Sequence, residues 1–361
     1  MEFHFFFNGY FLIMRWEDKI LGKKFFVSDC EGPISTNDNA FELSGHFIED
    51  GEKFFEIISR YDDVLVDVVR REGYNAGGTL KLITPFLKAY GADNQTITDF
   101  SAENVLLLKG AVETIKFVTS AMPSFIVSTS YQQYIEALCR RTGFPYENTY
   151  STKLDIDSFS LDPDEAEKLM EFRERIIRKP EFEVLDNIFW KEIPSMEVGG
   201  IMESVHPVGG EGKKEAIQDI MRRFNLKASD LFYIGDSITD VQPIRFANQN
   251  GGVSISFNGN EYLVPEAEIA VISDNTAITS LLADIFNRYG SDAVRDFVVS
   301  YYKDPETALE AGFINPKLAE KVLNYNLPRV EIVNCDNMDS LIEESTKFRR
   351  KVRGEAIGGL G

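Results

Sequence analysis

The stretch FFVSDCEGPIS, residues 25–35, decides the fold of this chain. Its apolar start predicts a short buried strand, and the strand ends at two acids, Asp29 and Glu31. Gly32 and Pro33 then predict a turn. A strand that delivers two acids to the edge of a sheet indicates a candidate catalytic site. The bland alternative is an ordinary turn, so the rest of the chain has to decide between them.

Length and composition limit the class of protein. The chain has 361 residues, which suggests about two domains. Hydrophobic residues make up 43% and charged residues 27%, so we expect a large core and no wholesale disorder. Acidic residues outnumber basic ones by 58 to 38, a net charge of −20, which argues against a nucleic-acid-binding surface. An anionic substrate would therefore need local cations or a bound metal.

The cysteines and the N-terminus predict a cytoplasmic protein. Cys30, Cys139 and Cys335 are few and odd in number, which indicates free thiols in a reducing compartment. The apolar residues 1–14, MEFHFFFNGYFLIM, lack the early positive charge and the cleavage site of a signal peptide. They are also too short to span a bilayer, so we expect no transmembrane segment. An edge strand or a translation start placed too early is favoured over a membrane-surface anchor.

Short apolar segments alternate with helical patterns along the chain. Strands are predicted at 23–28, 122–130, 148–156, 231–235, 251–257, 267–273 and 329–334. Helices are predicted over most of 38–105, from Asp162-Pro163 onward, at 213–224 and over most of the chain after 275. This alternation predicts an α/β fold with a Rossmann-like, doubly wound parallel sheet covered on both faces. Ligands bind such sheets beyond the carboxyl ends of the strands.

Chemically useful side chains lie at or just after the ends of the predicted strands, or open the helices that follow. They are Asp29, Glu31, Ser128, Thr129, Lys213, Asp236 and Asp240. Each has a bland alternative as a turn, a helix cap or an exposed lysine, but together they form a set suited to phosphoryl transfer. An ionised aspartate can attack phosphorus without a base. Carboxylates hold a hard cation, while a lysine and a hydroxyl hold phosphoryl oxygens.

This set resembles the haloacid dehalogenase-like (HAD) superfamily of aspartyl-phosphate enzymes. FFVSDCEG looks like its first motif, SFIVSTS its second, the lysine of EGKKEAI its third and YIGDSITD its fourth. GGVSISFNGNEYLVPEAEIAVIS is similar to the segment that follows the fourth motif in phosphoserine-phosphatase-like members. The resemblance covers a catalytic core made of residues 20–34, 106–156 and 205–285.

The remaining residues form additions to that core. A helical cap of the C1 type would occupy 35–105, where it would close over the site and exclude water. A second insertion follows at 157–204, and a mainly helical extension occupies 286–361. Within the cap, Gly77-Gly78 predicts a turn, a hinge or a close approach of the backbone.

The resemblance implies a role for each residue of the phosphoryl site. Asp29 would be the nucleophile and a Mg²⁺ ligand. Ser128 and Thr129 would bind phosphate, and Lys213 would bind both phosphate and Asp29. Lys214 is the alternative to Lys213 because the two are adjacent. Cys30 would contribute its backbone and is not proposed as a nucleophile.

The resemblance also implies the metal ligands and the acid/base. Asp236 would ligate Mg²⁺, and Asp240 would support the metal directly or through water. Glu31 would give its backbone carbonyl to the metal and its side chain to proton transfer. Superfamily phosphatases usually carry Asp at this position, and the extra methylene of Glu moves the carboxyl by about 1.5 Å. An Asp-x-Glu-Gly sequence does occur in a phosphoserine-phosphatase-like group with homoserine phosphotransferase activity, so Glu31 is compatible with the chemistry.

Two functions follow. The first is a cytoplasmic, Mg²⁺-dependent phosphatase or phosphotransferase acting on a small phosphorylated metabolite. The second is a weakly active or inactive HAD-like subunit with an interaction or regulatory role, because no catalytic role demands the long helical additions. The chain also resembles archaeal proteins described as an energy-converting hydrogenase A subunit, which would place it in a larger complex. We expect no nucleic-acid partner; a homo-oligomer is left open.

Overall fold

The computed structural model describes residues 4–7, 10–13 and 24–360. His4–Phe7 (β1) and Tyr10–Ile13 (β2) pair antiparallel in a sheet of their own. The edge strand expected within residues 1–14 therefore does not join the main sheet. The described residues of this stretch form two strands that pair with each other. The other residues of that stretch lie outside the described residues.

A seven-stranded sheet organises the rest of the chain. Its strands are β3 (Phe25–Ser28), β4 (Ser124–Tyr131), β5 (Thr149–Thr152), β6 (Leu231–Gly235), β7 (Val253–Phe257), β8 (Ile269–Ile272) and β9 (Arg329–Ile332). They lie in the order β5-β4-β3-β6-β7-β8-β9, and all neighbours are parallel except β8 and β9. The six parallel strands have the doubly wound Rossmann order. The predicted fold class is therefore confirmed.

Helices occupy the connections and the additions. Up to the end of the second insertion they are α1 (Asn39–Phe47), α2 (Gly51–Asp63), α3 (Thr79–Ala89), α4 (Asn94–Glu103), α5 (Ala111–Ala121), α6 (Gln132–Thr142), α7 (Pro163–Arg178), α8 (Phe182–Asn187) and α9 (Gly200–Ser204). The later ones are α10 (Glu211–Phe224), α11 (Val241–Gln249), α12 (Ala277–Tyr289), α13 (Ser291–Lys303), α14 (Pro305–Leu309), α15 (Pro316–Leu323), α16 (Met338–Arg353) and α17 (Glu355–Gly358). Single π-helical turns continue α2 and α8, at Val64–Val68 and Ile188–Glu192. No helix of the described residues is long and apolar enough to cross a membrane.

Both faces of the sheet are covered, as the buried strands predicted. Phe26 and Phe232 point into a cluster that contains residues of α5, α6 and α12. Their chain neighbours Phe25 and Tyr233 point into a second cluster with residues of α10 and α11. Successive residues of a strand face opposite sides, so one run of apolar residues serves both layers.

The two insertions, 35–105 and 157–204, share one hydrophobic cluster. Phe86 of α3 lies between Phe54 of α2 and Phe189, with ring centroids 4.7 Å and 6.1 Å away. The Asp162 carboxylate accepts a hydrogen bond from the Asp164 N–H at 2.8 Å, so α7 begins where the sequence predicted. The two insertions therefore pack together, and we call them the cap unit; that this unit closes over the site stays a prediction.

Gly77 brings this cap unit against the end of β4. Its φ is +88°, and a Cβ at this position would lie 2.6 Å from Cγ2 of Thr129. Of the interpretations open for Gly77-Gly78, the structure shows a close approach of the backbone at Gly77. Only glycine combines this φ with this separation without strain.

Gly77→Ala should therefore lower the free energy of unfolding more than a matched change does. Gly73→Ala is the control, because Gly73 also has a positive φ, +72°, but nothing lies within 4 Å of its missing Cβ. The control should cost about 1–2 kcal/mol for the left-handed backbone. Gly77→Ala should cost about 1–3 kcal/mol more for the steric overlap, measured by urea denaturation. Equal losses would show that the contact with Thr129 places no constraint on the cap.

Candidate active site

The candidate site lies where the strand order reverses. β3 pairs with β4 on one side and with β6 on the other, and Ser28 lies opposite Ile234. Asp29 directly follows β3, and its N–H donates to the Ile234 carbonyl at 2.9 Å. Asp236 directly follows β6. This reversal point is where doubly wound sheets bind ligands, so the sheet itself brings the two carboxylates together.

Lys213 joins the ends of two strands. Its Nζ lies 2.6 Å from Oδ2 of Asp29 and 2.7 Å from Oδ1 of Asp240, and its side chain is fully buried. Burial acts to lower the pKa of Lys213, but the carboxylates of Asp240 and Asp29 outweigh it and raise the pKa above its ordinary value. Lys214 instead pairs with Glu211 at 2.6 Å. The structure therefore places Lys213, and not Lys214, in the site.

Asp240 holds this lysine and the turn that follows β6. Its Oδ1 accepts from Lys213 and from the Tyr233 hydroxyl at 2.6 Å. Its Oδ2 accepts from the backbone N–H groups of Asp236 and Ser237, at 3.0 and 3.1 Å. Four donors fill the four acceptor positions of a carboxylate. Of the direct and water-mediated metal roles open for Asp240, this arrangement favours the indirect one.

Asp29 is held from both sides of its carboxylate. Oδ2 contacts Lys213, and Oδ1 accepts from the Cys30 N–H at 2.6 Å. Burial raises the pKa of Asp29 to about 7, against the opposing effect of Lys213. Cys30 is fully buried, and burial raises the pKa of its thiol. Cys30 contacts Asp29 through its backbone N–H, as expected of a residue that contributes its backbone to the site.

The predicted phosphate-binding residues, Ser128 and Thr129, lie in the second half of β4 and line the same cavity as Asp29. Ser128 Oγ donates to Ser130 Oγ at 3.0 Å and accepts from the Ser130 N–H at 3.2 Å. Thr129 Oγ1 donates to the Val208 carbonyl at 3.0 Å. Ser130, which completes the Ser-Thr-Ser of the second motif, has no predicted role, but it orients Ser128.

Glu31 has a structural contact that the sequence did not predict. Its Oε1 accepts a hydrogen bond at 2.7 Å from the N–H of Asn39, the first residue of α1. Its side chain also lines the cavity next to Asp29. Removal from water raises the pKa of Glu31 well above its usual value; Asp38 raises it further and Arg353 opposes both. The longer side chain thus reaches the N-terminus of α1.

Two arginines of α16 lie in the site, and sequence reasoning missed both. Arg349 and Arg353 form ion pairs with Oδ2 of Asp236, the latter at 2.9 Å. Arg353 also donates to the carbonyls of Thr36, at 3.2 Å, and Asn37. The only sequence signal was a pair of arginines four residues apart on an amphipathic helix, which usually indicates a solvated face.

The carboxylates fit a divalent cation, with Asp29 and Asp236 as direct ligands and Asp240 as their support. Carboxylate oxygens of Asp29, Asp236 and Asp240 all lie within 4.8 Å of one another and are buried. The acids that line the cavity are Asp29, Glu31, Asp38, Asp62, Asp63 and Asp236, and the bases are Arg349 and Arg353. Carboxylate oxygens are ligands that suit Mg²⁺.

A solved structure is similar to this chain over nearly its whole length, but the similarity assigns no activity. The chain is similar to gene product AF1437 of Archaeoglobus fulgidus, with a TM-score of 0.77 and 28% identity over 94% of this chain and 99% of that one. Because the similarity extends over 94% of the chain, it includes most of the residues outside the predicted core segments. No family model matches the chain, and no curated protein matches it.

Phosphoserine phosphatase structures overlap the chain more loosely. The apo form aligns with a TM-score of 0.40 and 13% identity, over 70% of this chain and 95% of that one. The substrate-bound complex gives the same TM-score and identity, over 70% of this chain and 94% of that one. Overlaps this loose support no assignment of function, which has to rest on the site itself.

Replacing Lys213 should destabilise the protein strongly. Lys213→Met leaves Asp29 and Asp240 buried without their shared cation, so the free energy of unfolding should fall by about 3–5 kcal/mol. Lys214→Met removes the same charge from a partly exposed pair with Glu211, and should cost less than about 1 kcal/mol. Guanidinium chloride denaturation measures both. Similar values for the two variants would contradict the pairing described here.

Proposed function

We propose that this protein is a Mg²⁺-dependent phosphatase or phosphotransferase of the HAD-like class. It would act on a small phosphorylated metabolite through an aspartyl-phosphate intermediate on Asp29. The observation that carries the proposal is the buried Asp29–Lys213–Asp240 chain, which lies beside Asp236 and Ser128 at one edge of the sheet. A nucleophile, a phosphate-binding cation and metal-binding carboxylates are the parts that phosphoryl transfer needs.

In the first step, a carboxylate oxygen of Asp29 forms a bond to phosphorus while the bond from phosphorus to the substrate oxygen breaks. Glu31, on the wall of the same cavity, gives its proton to that leaving oxygen. Lys213 and Ser128 hold the phosphoryl oxygens during the transfer. The cap unit limits the entry of water at this stage.

In the second step, Glu31 takes a proton from the acceptor as the acceptor oxygen attacks phosphorus, and the carboxylate of Asp29 is released. Water as acceptor makes the protein a phosphatase, and a hydroxyl compound makes it a phosphotransferase. Asp29, Asp236 and the Glu31 carbonyl would hold Mg²⁺, which would supply neutralisation of the charge on the phosphoryl oxygens.

Asp29→Asn should abolish turnover. The assay is phosphate release from p-nitrophenyl phosphate and a panel of phosphorylated metabolites, with Mg²⁺ and with EDTA. We expect a loss of at least about 10³-fold, because an amide cannot form the acyl phosphate. EDTA should stop the wild-type reaction. Asp67→Asn, an exposed change outside the cavity, should have no effect. An Asp29→Asn variant as active as the wild type would exclude the proposal.

Two substitutions at Glu31 separate its structural contact from its chemistry. Glu31→Gln keeps an oxygen for the Asn39 N–H but cannot deliver a proton, so stability should hold while kcat falls by about 10²–10⁴-fold. Glu31→Asp keeps the acid but is too short to reach Asn39, so it should lower both kcat and the unfolding midpoint. Faster turnover in Glu31→Asp would mean that the longer side chain is a compromise and that its contact with α1 does not matter for catalysis.

A second candidate function is an interaction or regulatory subunit with little or no activity. The observation that favours it is the pair of arginines, Arg349 and Arg353, on the carboxylate of Asp236. No phosphoryl-transfer role requires this contact. Purification from the native source tests it: recovery within a larger complex, together with no turnover of any substrate, would support the subunit over the enzyme.

A further inference from the structure

The C-terminal segment 338–360, which we call the C-terminal strap, is anchored on the core at its first half. Leu341 of α16 is fully buried in a cluster with Ala270 and Ile272 of β8. Ser345 Oγ donates to the Gly259 carbonyl at 2.7 Å. The strap therefore begins as a packed part of the sheet domain.

Further along α16, the strap enters the candidate active site. Arg349 and Arg353 are four residues apart, so they project from the same face of the helix. Both pair with Oδ2 of Asp236, and their side chains are only 3% and 5% exposed. Arg349 also donates to the Asp236 backbone carbonyl at 3.2 Å. Two guanidinium charges thus lie on a carboxylate that the metal site needs.

Beyond α16, the strap reaches the cap unit. Leu360 and Ile357 pack with the hydrophobic cluster that the two insertions share. Leu360 also lines the same cavity as Asp29 and Arg349. The strap therefore runs from the sheet, across the acidic site, to the cap, and it joins the two walls between which a substrate would bind.

We infer that the strap and a divalent cation are alternative occupants of Asp236. Two guanidinium groups bring the same charge of +2 as the cation, so the acidic site is neutralised to the same extent by either one. Both together would place like charges within a few ångströms in a buried space, where their repulsion is weakly screened. The structure thus represents a strap-bound form, and metal loading requires the second half of α16 to move. The inference rests on the proposed function, because it assigns Asp236 to the metal.

One detail shows how the strap can leave. Arg349 Nε is buried and makes no hydrogen bond to any described residue. A buried donor without a partner is unfavourable. Moving Arg349 out of the site therefore costs less free energy than it would if all its donors were hydrogen-bonded. The strap can also hydrate its arginines on leaving, while the incoming metal keeps Asp236 neutralised.

The metal affinity of matched variants tests the inference. Arg349→Gln/Arg353→Gln removes two charges from the site, and Arg350→Gln/Lys351→Gln removes two charges from the exposed side of the same helix. Mg²⁺ binding to each full-length protein is measured by calorimetry, and Mn²⁺ binding by electron paramagnetic resonance. In the wild type, only the fraction of molecules whose strap has left Asp236 can bind the metal, so the apparent affinity is lower than the intrinsic one by that fraction. The first variant should therefore bind about 10–100-fold more tightly than the wild type. The control should match the wild type. Equal or weaker binding by the first variant would overturn the inference.

The wild-type protein provides a test that does not depend on variants that fold. Hydrogen–deuterium exchange of residues 346–360 is measured with saturating Mg²⁺ and with NaCl of equal ionic strength. Exchange in this segment should rise with Mg²⁺, because the strap is displaced. Unchanged or slower exchange in protein that calorimetry shows to be metal-bound would overturn the inference.

These measurements also separate the inference from the proposed function. If the affinities diverge as expected but no variant turns over any substrate, the strap inference stands and the phosphatase proposal fails. If phosphate is released but the affinities are equal, the phosphatase proposal stands and the strap inference fails.

Discussion

The structure depends on one buried ammonium group. Lys213 is taken fully out of water, which is unfavourable unless carboxylates compensate it. Asp29 and Asp240 do so, and they come from the ends of β3 and β6, the two strands at which the sheet reverses its order. The ion pairs therefore fix α10 to the sheet edge and hold the candidate nucleophile in place. Asp240 accepts hydrogen bonds from the backbone of Asp236 and Ser237 and from the Tyr233 hydroxyl. It therefore also fixes the turn that contains Asp236.

The remaining negative charge explains the other features of the site. Asp29, Glu31, Asp38 and Asp236 lie near one cavity, and such a cluster needs compensating cations. The C-terminal strap supplies two of them on Asp236. A site built for a divalent cation would show the same excess of acid, which connects the metal-binding proposal with the strap. Glu31 relieves part of the excess through its contact with the N-terminus of α1.

The sequence predicted the parts of the site that the sheet brings together. Asp29 and Asp236 each directly follow a buried strand, and Ser128 lies in the second half of β4. Parallel strands place their carboxyl ends at one edge of the sheet. The choice between Lys213 and Lys214 required the orientation of α10, which two adjacent residues cannot reveal.

Arg349 and Arg353 could not be predicted, because they reach Asp236 through the docking of a helix more than a hundred residues away along the chain. Local periodicity gives the amphipathic face of α16 but not its partner. The same limit applies to β9, whose antiparallel place at the sheet edge depends on the path of α12–α15. The contact of Glu31 with Asn39 depends on the angle at which α1 leaves the turn, and no residue pattern records that angle.

Trapping the covalent intermediate tests the role of Asp29 most directly. The protein is mixed with Mg²⁺ and with a phosphate ester that it turns over, and the reaction is quenched in acid. Reduction with borohydride then converts an aspartyl phosphate into homoserine. Peptide mass spectrometry then locates the change. We predict homoserine at position 29 and at no other acidic residue. Phosphate release with residue 29 unmodified, or modification at another residue, would contradict the assignment of Asp29 as the nucleophile.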